Sequence, residues 1–180
     1  MVKPHLDTAP MPGYPEPYGT LLATLQKQTR AWRHQLDELR PEEIVWQPYP
    51  QGHSIGALML HMAEVESHWV ETVALGREMS AGDRATYLSE ETDSFTGVWP
   101  TPPSEPFSYY LDILDRVRTQ TLESVKAFED PATERDAEWS TVSLRWVLAH
   151  IIWHEGYHGG QMVLLKTFST APGIACLPLS

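Results

Sequence analysis

The sequence predicts an all-α fold, specifically a four-helix bundle with one long crossover connection. Four segments carry apolar side chains at intervals of three and four residues, the spacing that gathers them on one face of a helix. Residues 77–105 join the second and third segments, and a connection of that length suits a bundle with a crossover. No stretch shows convincing strand alternation, although residues 130–142 leave room for a short strand.

Each predicted helix is bounded by residues that favour a helix end. Ser54 is a good N-cap for the second helix, and Gly76 is a suitable stop after it. Thr141 or Ser143 caps the fourth helix, while prolines close the first and the third. The four predicted helices span residues 18–39, 54–75, 106–128 and 143–168.

These helices form one predicted domain, residues 18–168, which fits a chain of 180 residues. Residues 1–17 contain five prolines, a density that excludes a helix and predicts an extended arm. Residues 169–180 are a predicted tail, punctuated by prolines and apolar enough to pack somewhere.

Charge and cysteine content exclude several classes of protein. The formal net charge is −11, and a field of that sign repels nucleic acid and anionic membrane surfaces. The single cysteine, Cys176, excludes an intramolecular disulfide, so a disulfide-rich secreted scaffold is ruled out. No apolar run reaches the roughly 18–20 residues of a membrane-spanning helix. With prolines where a signal peptide needs an apolar helix, we expect a cytoplasmic protein with no membrane or nucleic-acid partner.

The fourth helix carries three histidines one turn apart. His150, His154 and His158 follow each other at intervals of four, so neighbours share a helix face. His158 is almost in line with the apolar residues Ile151 and Leu165, where an imidazole needs a polar partner or a metal ion. Two neutral imidazoles one turn apart can bind one divalent ion.

The second helix offers a third imidazole. His61 lies beside the apolar stripe, faces the bundle interior or its edge, and could complete a three-histidine site with positions open for water. Spacing alone leaves open that these are hydrogen-bonded core histidines. Three further residues are candidates for supporting a ligand histidine from outside the metal's own shell: Glu64, His150 and Gln161.

The segment from His154 to His158 also matches H-E-x-x-H, in which two histidines hold zinc and the glutamate is a general base. However, Glu155 points about 100° away from His154 around the helix axis. After His158 the chain contains no Asp, Glu or His that could be a downstream ligand. A small metallohydrolase of this type is therefore the less favoured alternative.

Two motifs together resemble the DinB/YfiT-like superfamily. Residues 53–66, HSIGALMLHMAEVE, are similar to its second-helix motif, which ends in the first metal-binding histidine. Residues 144–161, LRWVLAHIIWHEGYHGGQ, resemble its last-helix motif with the other two ligands and a final Gly-Gln pair. Two positions depart from the pattern: Tyr157 stands where many members have a histidine, and Gly159 where an arginine is frequent.

The resemblance implies an up-down-down-up four-helix bundle, frequently a homodimer, with His61, His154 and His158 as metal ligands. Members with assigned activities include transferases that use low-molecular-weight thiols. We therefore expect a divalent-metal-dependent enzyme, with zinc, nickel or iron as the ion and a thiol as co-substrate. Its reaction would be thiol transfer to a small electrophilic molecule, or hydrolysis of it. The alternative is a non-catalytic metal-binding or stress-related bundle, which a fourth protein ligand such as His150 or His68 would favour.

Overall fold

The computed structural model describes residue 3 and residues 5–170, and these are mostly helical. The helices α1 to α6 and the strands β1 and β2 are numbered in chain order, and α3 continues directly into a π-helical segment, His68–Ala74. The bounds are α1 Tyr18–Gln35, α2 Pro41–Ile44, α3 Ile55–Ser67, α4 Ala81–Tyr87, α5 Phe107–Val125, β1 Glu134–Ala137, β2 Ser140–Ser143 and α6 Leu144–Thr170.

The helix α3 lies at the centre of the fold. Every residue of Ile55–Ala63 is buried, and a helix that is apolar all round is stable only when other elements enclose it. It packs against α5 and α6, while α1 packs along α6. The predicted cap is confirmed, because the Ser54 hydroxyl accepts a hydrogen bond from the Ala57 amide. The predicted stop is confirmed as well, since Gly76 has a φ of +67°.

The first predicted helix is too long in comparison with the structure. The helix α1 ends at Gln35, and a turn with Glu38 at a φ of +65° separates it from the short α2. The Lys166 ammonium accounts for this end, because it donates to the carbonyls of Gln35 (3.0 Å) and Asp37 (2.7 Å). A cation from α6 thus takes carbonyl groups that a longer helix would have paired internally.

The all-α prediction holds for most of the described residues, but a small antiparallel sheet lies where the sequence left room for a short strand. The strands β1 and β2 pair in the register Glu134↔Ser143, directly before α6. Each has only four residues, and in β2 only Val142 is buried, which is too little for alternation to be visible in the sequence. The crossover connection also holds the unpredicted helix α4.

The described part of the proline-rich arm lies against the helices. Tyr14 donates a hydrogen bond to the Leu122 carbonyl (2.8 Å), and Lys27 donates to the Asp7 carbonyl (2.5 Å). Within the described residues, no helix is long and apolar enough to cross a membrane. The first two residues of the predicted tail, Ser169 and Thr170, continue α6. The rest of the tail, from residue 171 onwards, lies outside the described residues.

Candidate metal centre

Three histidines meet where α3 and α6 face each other. The Nε2 atom of His154 lies 3.2 Å from Nε2 of His61 and 3.1 Å from Nε2 of His158. The nitrogen atoms of all three residues that could bind a metal lie within 4.8 Å of one another. His61 comes from α3, while the other two lie one turn apart on α6. The structure thus brings together the histidines that spacing and the resemblance single out.

The protonation of His158 is fixed by Gln161. The Nδ1 atom of His158 lies 2.6 Å from the side-chain oxygen of Gln161, and an amide oxygen only accepts. The proton therefore sits on Nδ1, and Nε2 presents its lone pair to the cluster. This contact supports Gln161 in the predicted orienting role.

Burial favours the neutral form of two of the three imidazoles, those of His154 and His158. Burial, aided by the neighbouring rings of His158 and His61, lowers the pKa of His154 to about 2. Burial and the His61 ring likewise lower the pKa of His158 to about 4, although its hydrogen bond to Gln161 acts in the opposite direction. At neutral pH both rings are available as ligands, because only an unprotonated ring nitrogen binds a metal.

His61 is enclosed by Trp99 and Glu64. Its Nδ1 atom is buried and has no hydrogen-bond partner among the described residues, and the Glu64 carboxylate lies 3.6 Å away. The buried Trp99 ring packs edge-on against His61, with 5.2 Å between ring centroids, and against His53 at 4.4 Å. No motif in the sequence marks Trp99, since it reaches the site from the crossover connection, residues 77–105.

The separations between the nitrogen atoms are close to those of ligands around one divalent ion. Two ligands of a tetrahedral zinc ion, each about 2.0–2.1 Å from the metal, lie roughly 3.3 Å apart. The two Nε2 separations of 3.1 and 3.2 Å are close to that value. The Nε2 atom of a neutral His154 carries either one proton or one lone pair, so without a cation it can make a linear hydrogen bond to only one of the other two Nε2 atoms. The donor set is the imidazole type that zinc, nickel and iron accept.

One residue of the cluster, His61, lines a pocket. A cavity of about 560 Å³ begins at His61 and runs between the π-helical segment and the crossover connection. Its size suits a small molecule. Its walls are formed by His61, Glu64, Val65, His68, Thr72, Glu78, Met79, Arg84, Thr92 and Ser94.

No fourth protein ligand joins the cluster within the described residues. His68 lies on the pocket wall, and His150 is stacked on Trp146 with ring centroids 4.7 Å apart. The ring of His150 is 5.9 Å from that of His154, as part of an aromatic group rather than of the cluster. The described residues therefore do not provide the fourth ligand that would favour a closed, structural site.

The glutamate of the H-E-x-x-H pattern points away from the cluster. One oxygen of Glu155 accepts a hydrogen bond from the Trp32 indole (2.7 Å), and the other accepts one from Arg118 (2.8 Å). Glu155 is buried, with both oxygens occupied, so it is badly placed to act as a base on a molecule in the pocket. This geometry argues against the small metallohydrolase.

The two departures from the superfamily pattern leave the cluster intact. Tyr157 is half exposed and stacks on Trp153, on the outer side of α6. Gly159 faces α1, where a Cβ atom would lie 3.0 Å from the Trp32 ring. A glycine at this position lets the two helices approach closely.

Fold and site together define a helical protein of the DinB/YfiT-like superfamily with a three-histidine cluster. More narrowly, the chain belongs to the mycothiol-S-transferase family, whose sequence model matches residues 20–168. The resemblance stated from the two motifs is thereby confirmed.

Comparison with solved structures agrees on the fold. The crystal structure of a conserved protein of a locus from Enterococcus faecalis aligns with a TM-score of 0.60 over 81% of this chain and 92% of that chain. At 18% identity the likeness speaks for the fold alone. No curated protein matches the sequence.

Proposed function

We propose that the protein is a divalent-metal-dependent thiol transferase. The observation that carries this proposal is the three-histidine cluster, one member of which, His61, lines a pocket, in a chain of the mycothiol-S-transferase family. The proposed ligands are His61, His154 and His158. The thiol is one of low molecular weight, for which the family name indicates mycothiol, and the acceptor is a small electrophilic molecule.

The chain's own residues supply three parts of this activity. The imidazoles of His61, His154 and His158 would hold a zinc, nickel or iron ion, which would lower the pKa of a thiol or water bound there. Gln161 keeps the Nδ1 proton on His158, so that Nε2 remains a ligand. Trp99 shields His61 from water on one side, while the pocket leaves room for two small reactants on the other.

The activity is tested with purified protein, a thiol and an electrophile. We expect loss of free thiol only when metal, mycothiol and a small electrophile such as monochlorobimane are all present, and the S-conjugate should be identified by mass spectrometry. His158→Ala should reduce the rate by at least two orders of magnitude, because catalysis depends on the ion.

Each alternative outcome has a distinct meaning. Consumption of an ester or amide substrate without any thiol would mean that the enzyme is a hydrolase rather than a transferase. Full metal loading without turnover of either kind would favour the non-catalytic metal-binding protein. Cysteine and bacillithiol serve as controls for the choice of thiol.

We further propose the remaining features that the resemblance implies: α1, α3, α5 and α6 form the four-helix bundle, and residues 18–168 are its domain. The single cysteine fits a reducing compartment, so we place the protein in the cytoplasm.

We propose that two copies associate through the outer face of α6. Between Trp146 and Leu165 the only Asp, Glu, Lys or Arg is Glu155, and it is buried. Exposed side chains on this face include Trp153 (62% exposed) and Tyr157 (53%). Together with Leu164 and Phe168, these side chains expose on the order of 400 Å² of surface per copy, which is a large share of the area that a small interface buries. For a chain of charge −11, an uncharged face is where a second copy can approach without repulsion.

Replacing Trp153 by glutamate should shift the protein towards the monomer, because the change places two like charges in the interface. Sedimentation velocity at several protein concentrations measures the shift. Phe95→Glu is the matched control, since Phe95 is 98% exposed and belongs to the crossover connection rather than to α6. A wild-type protein that stays monomeric at high concentration would contradict the proposed dimer.

A further inference from the structure

A buried arginine joins the helices beneath the histidine cluster. Arg118 on α5 donates two hydrogen bonds of 2.8 Å to the Glu66 carboxylate on α3. It also donates to Glu155 on α6 (2.8 Å) and to the Thr29 hydroxyl on α1 (3.0 Å). We refer to Glu66, Arg118 and Glu155 as the arginine cluster.

The arginine cluster lies directly against the metal centre. Glu155 is the residue next to His154 on α6. A void of about 10 Å³, the size of about one water molecule, is lined by His154 and by all three residues of the arginine cluster. Trp32 fixes the second oxygen of Glu155, so the backbone that carries His154 is held from two sides. A shift of α6 would therefore move this histidine relative to His61.

The charges of the arginine cluster do not cancel. It contains two carboxylates and one guanidinium, all of them buried or nearly so. Burial alone would lower the pKa of Arg118, but the charges and hydrogen bonds of Glu66 and Glu155 outweigh it and raise the pKa, so the guanidinium stays charged. One negative charge is left over in a region shielded from water, which costs free energy unless a cation lies nearby.

Among the described residues, Arg118 is the only cationic side chain paired with Glu66 or Glu155, so the compensating positive charge has to come from elsewhere. A divalent ion would supply it. We propose that the arginine cluster positions His154 and provides the buried negative charge that strengthens binding of a divalent cation. Glu155 is thus a positioning residue, not a base. This inference rests on the proposed function only in that the histidines bind a metal ion.

The test removes the charge of a glutamate while keeping the shape of its side chain. Glu155→Gln keeps an oxygen that can accept from Trp32 or Arg118 but removes the surplus charge. Glu43→Gln is the matched control: Glu43 is also buried and paired with an arginine, Arg40, but it lies on α2 and is not part of the site. Both variants change the net charge of the protein equally.

The readouts are the Kd for Co²⁺ and Zn²⁺, measured by chelator competition, and the visible spectrum of the Co²⁺ form. We expect Glu155→Gln to weaken the binding of both ions about tenfold or more, as for other residues that support metal ligands. We also expect it to alter the absorption bands of the Co²⁺ form. Glu43→Gln should bind within twofold of the wild type. Glu155→Asp, which restores the charge, should recover part of the affinity.

Equal affinities for Glu155→Gln and Glu43→Gln would overturn the inference and leave the arginine cluster a purely structural device. If Glu155→Gln does not fold, Glu66→Gln decides, because it removes the same charge from a residue that is not next to a metal ligand in the chain. Wild-type protein that binds neither ion would instead overturn the proposed function itself. The two failures are therefore distinguishable before any thiol is added.

Discussion

Replacing His154 by alanine is expected to abolish stoichiometric metal binding. Its Nε2 atom is the middle one of the cluster, with neighbours at 3.2 Å and 3.1 Å, so its loss leaves two imidazoles without a shared third ligand. Elemental analysis of tag-free protein, purified without added metal or chelator, measures the result. We expect about one divalent ion per chain in the wild type and less than a tenth of that in the variant.

The matched control for this experiment is His150→Ala. His150 lies one turn earlier on α6, but its ring is stacked on Trp146. The His150→Ala variant should therefore retain the ion. Loss of metal in both variants would mean that general damage to α6, rather than removal of a ligand, explains the result. Full loading of His154→Ala would refute the assignment of the site.

The largest effect on stability is expected from Arg118→Met. The substitution keeps much of the side-chain volume but leaves the carboxylates of Glu66 and Glu155 buried without their common partner. Breaking a buried ion pair on one side costs about 3–5 kcal/mol, a large part of the stability of a domain. Chemical denaturation of the metal-free protein, monitored by circular dichroism, measures the change in the free energy of unfolding.

Two further variants separate charge from packing in this effect. If unpaired charge is the cause, Arg118→Met combined with Glu66→Gln and Glu155→Gln should recover most of the lost stability. Asp115→Asn removes the exposed ion pair between Arg33 and Asp115, which also joins α1 to α5, and should cost less than about 1 kcal/mol. A loss for Arg118→Met no greater than that of Asp115→Asn would contradict the burial argument.

Local sequence signals were sufficient for the main helices and for the histidines. Apolar periodicity, the Ser54 cap and the Gly76 stop act within a few residues, so they can be recognised without the fold. The interval between His154 and His158 is likewise a local geometric fact. Their meeting with His61, 93 residues away from His154, was expected from the apolar face of α3 and from the resemblance.

Contacts between distant segments could not be recognised in this way. The sequence marks Arg118 only as one of several charged residues on a helix, and Trp99 only as a tryptophan in a loop. Each acquires its role from a partner far along the chain: Arg118 from Glu66 and Glu155, and Trp99 from His61. For the hairpin before α6 the sequence left room only for a short strand in residues 130–142, because four-residue strands are defined by their pairing.

The sequence by itself thus determined the helical class, the superfamily and the three candidate ligands, since periodicity, caps and motifs are properties of neighbouring residues. Only the tertiary structure decided what Glu155 does. Within the H-E-x-x-H pattern it looks like a base, but the fold surrounds it with Trp32 and Arg118 and turns it away from the pocket. The physical reason is that burial and pairing fix the chemistry of a carboxylate, and both depend on residues contributed by other helices.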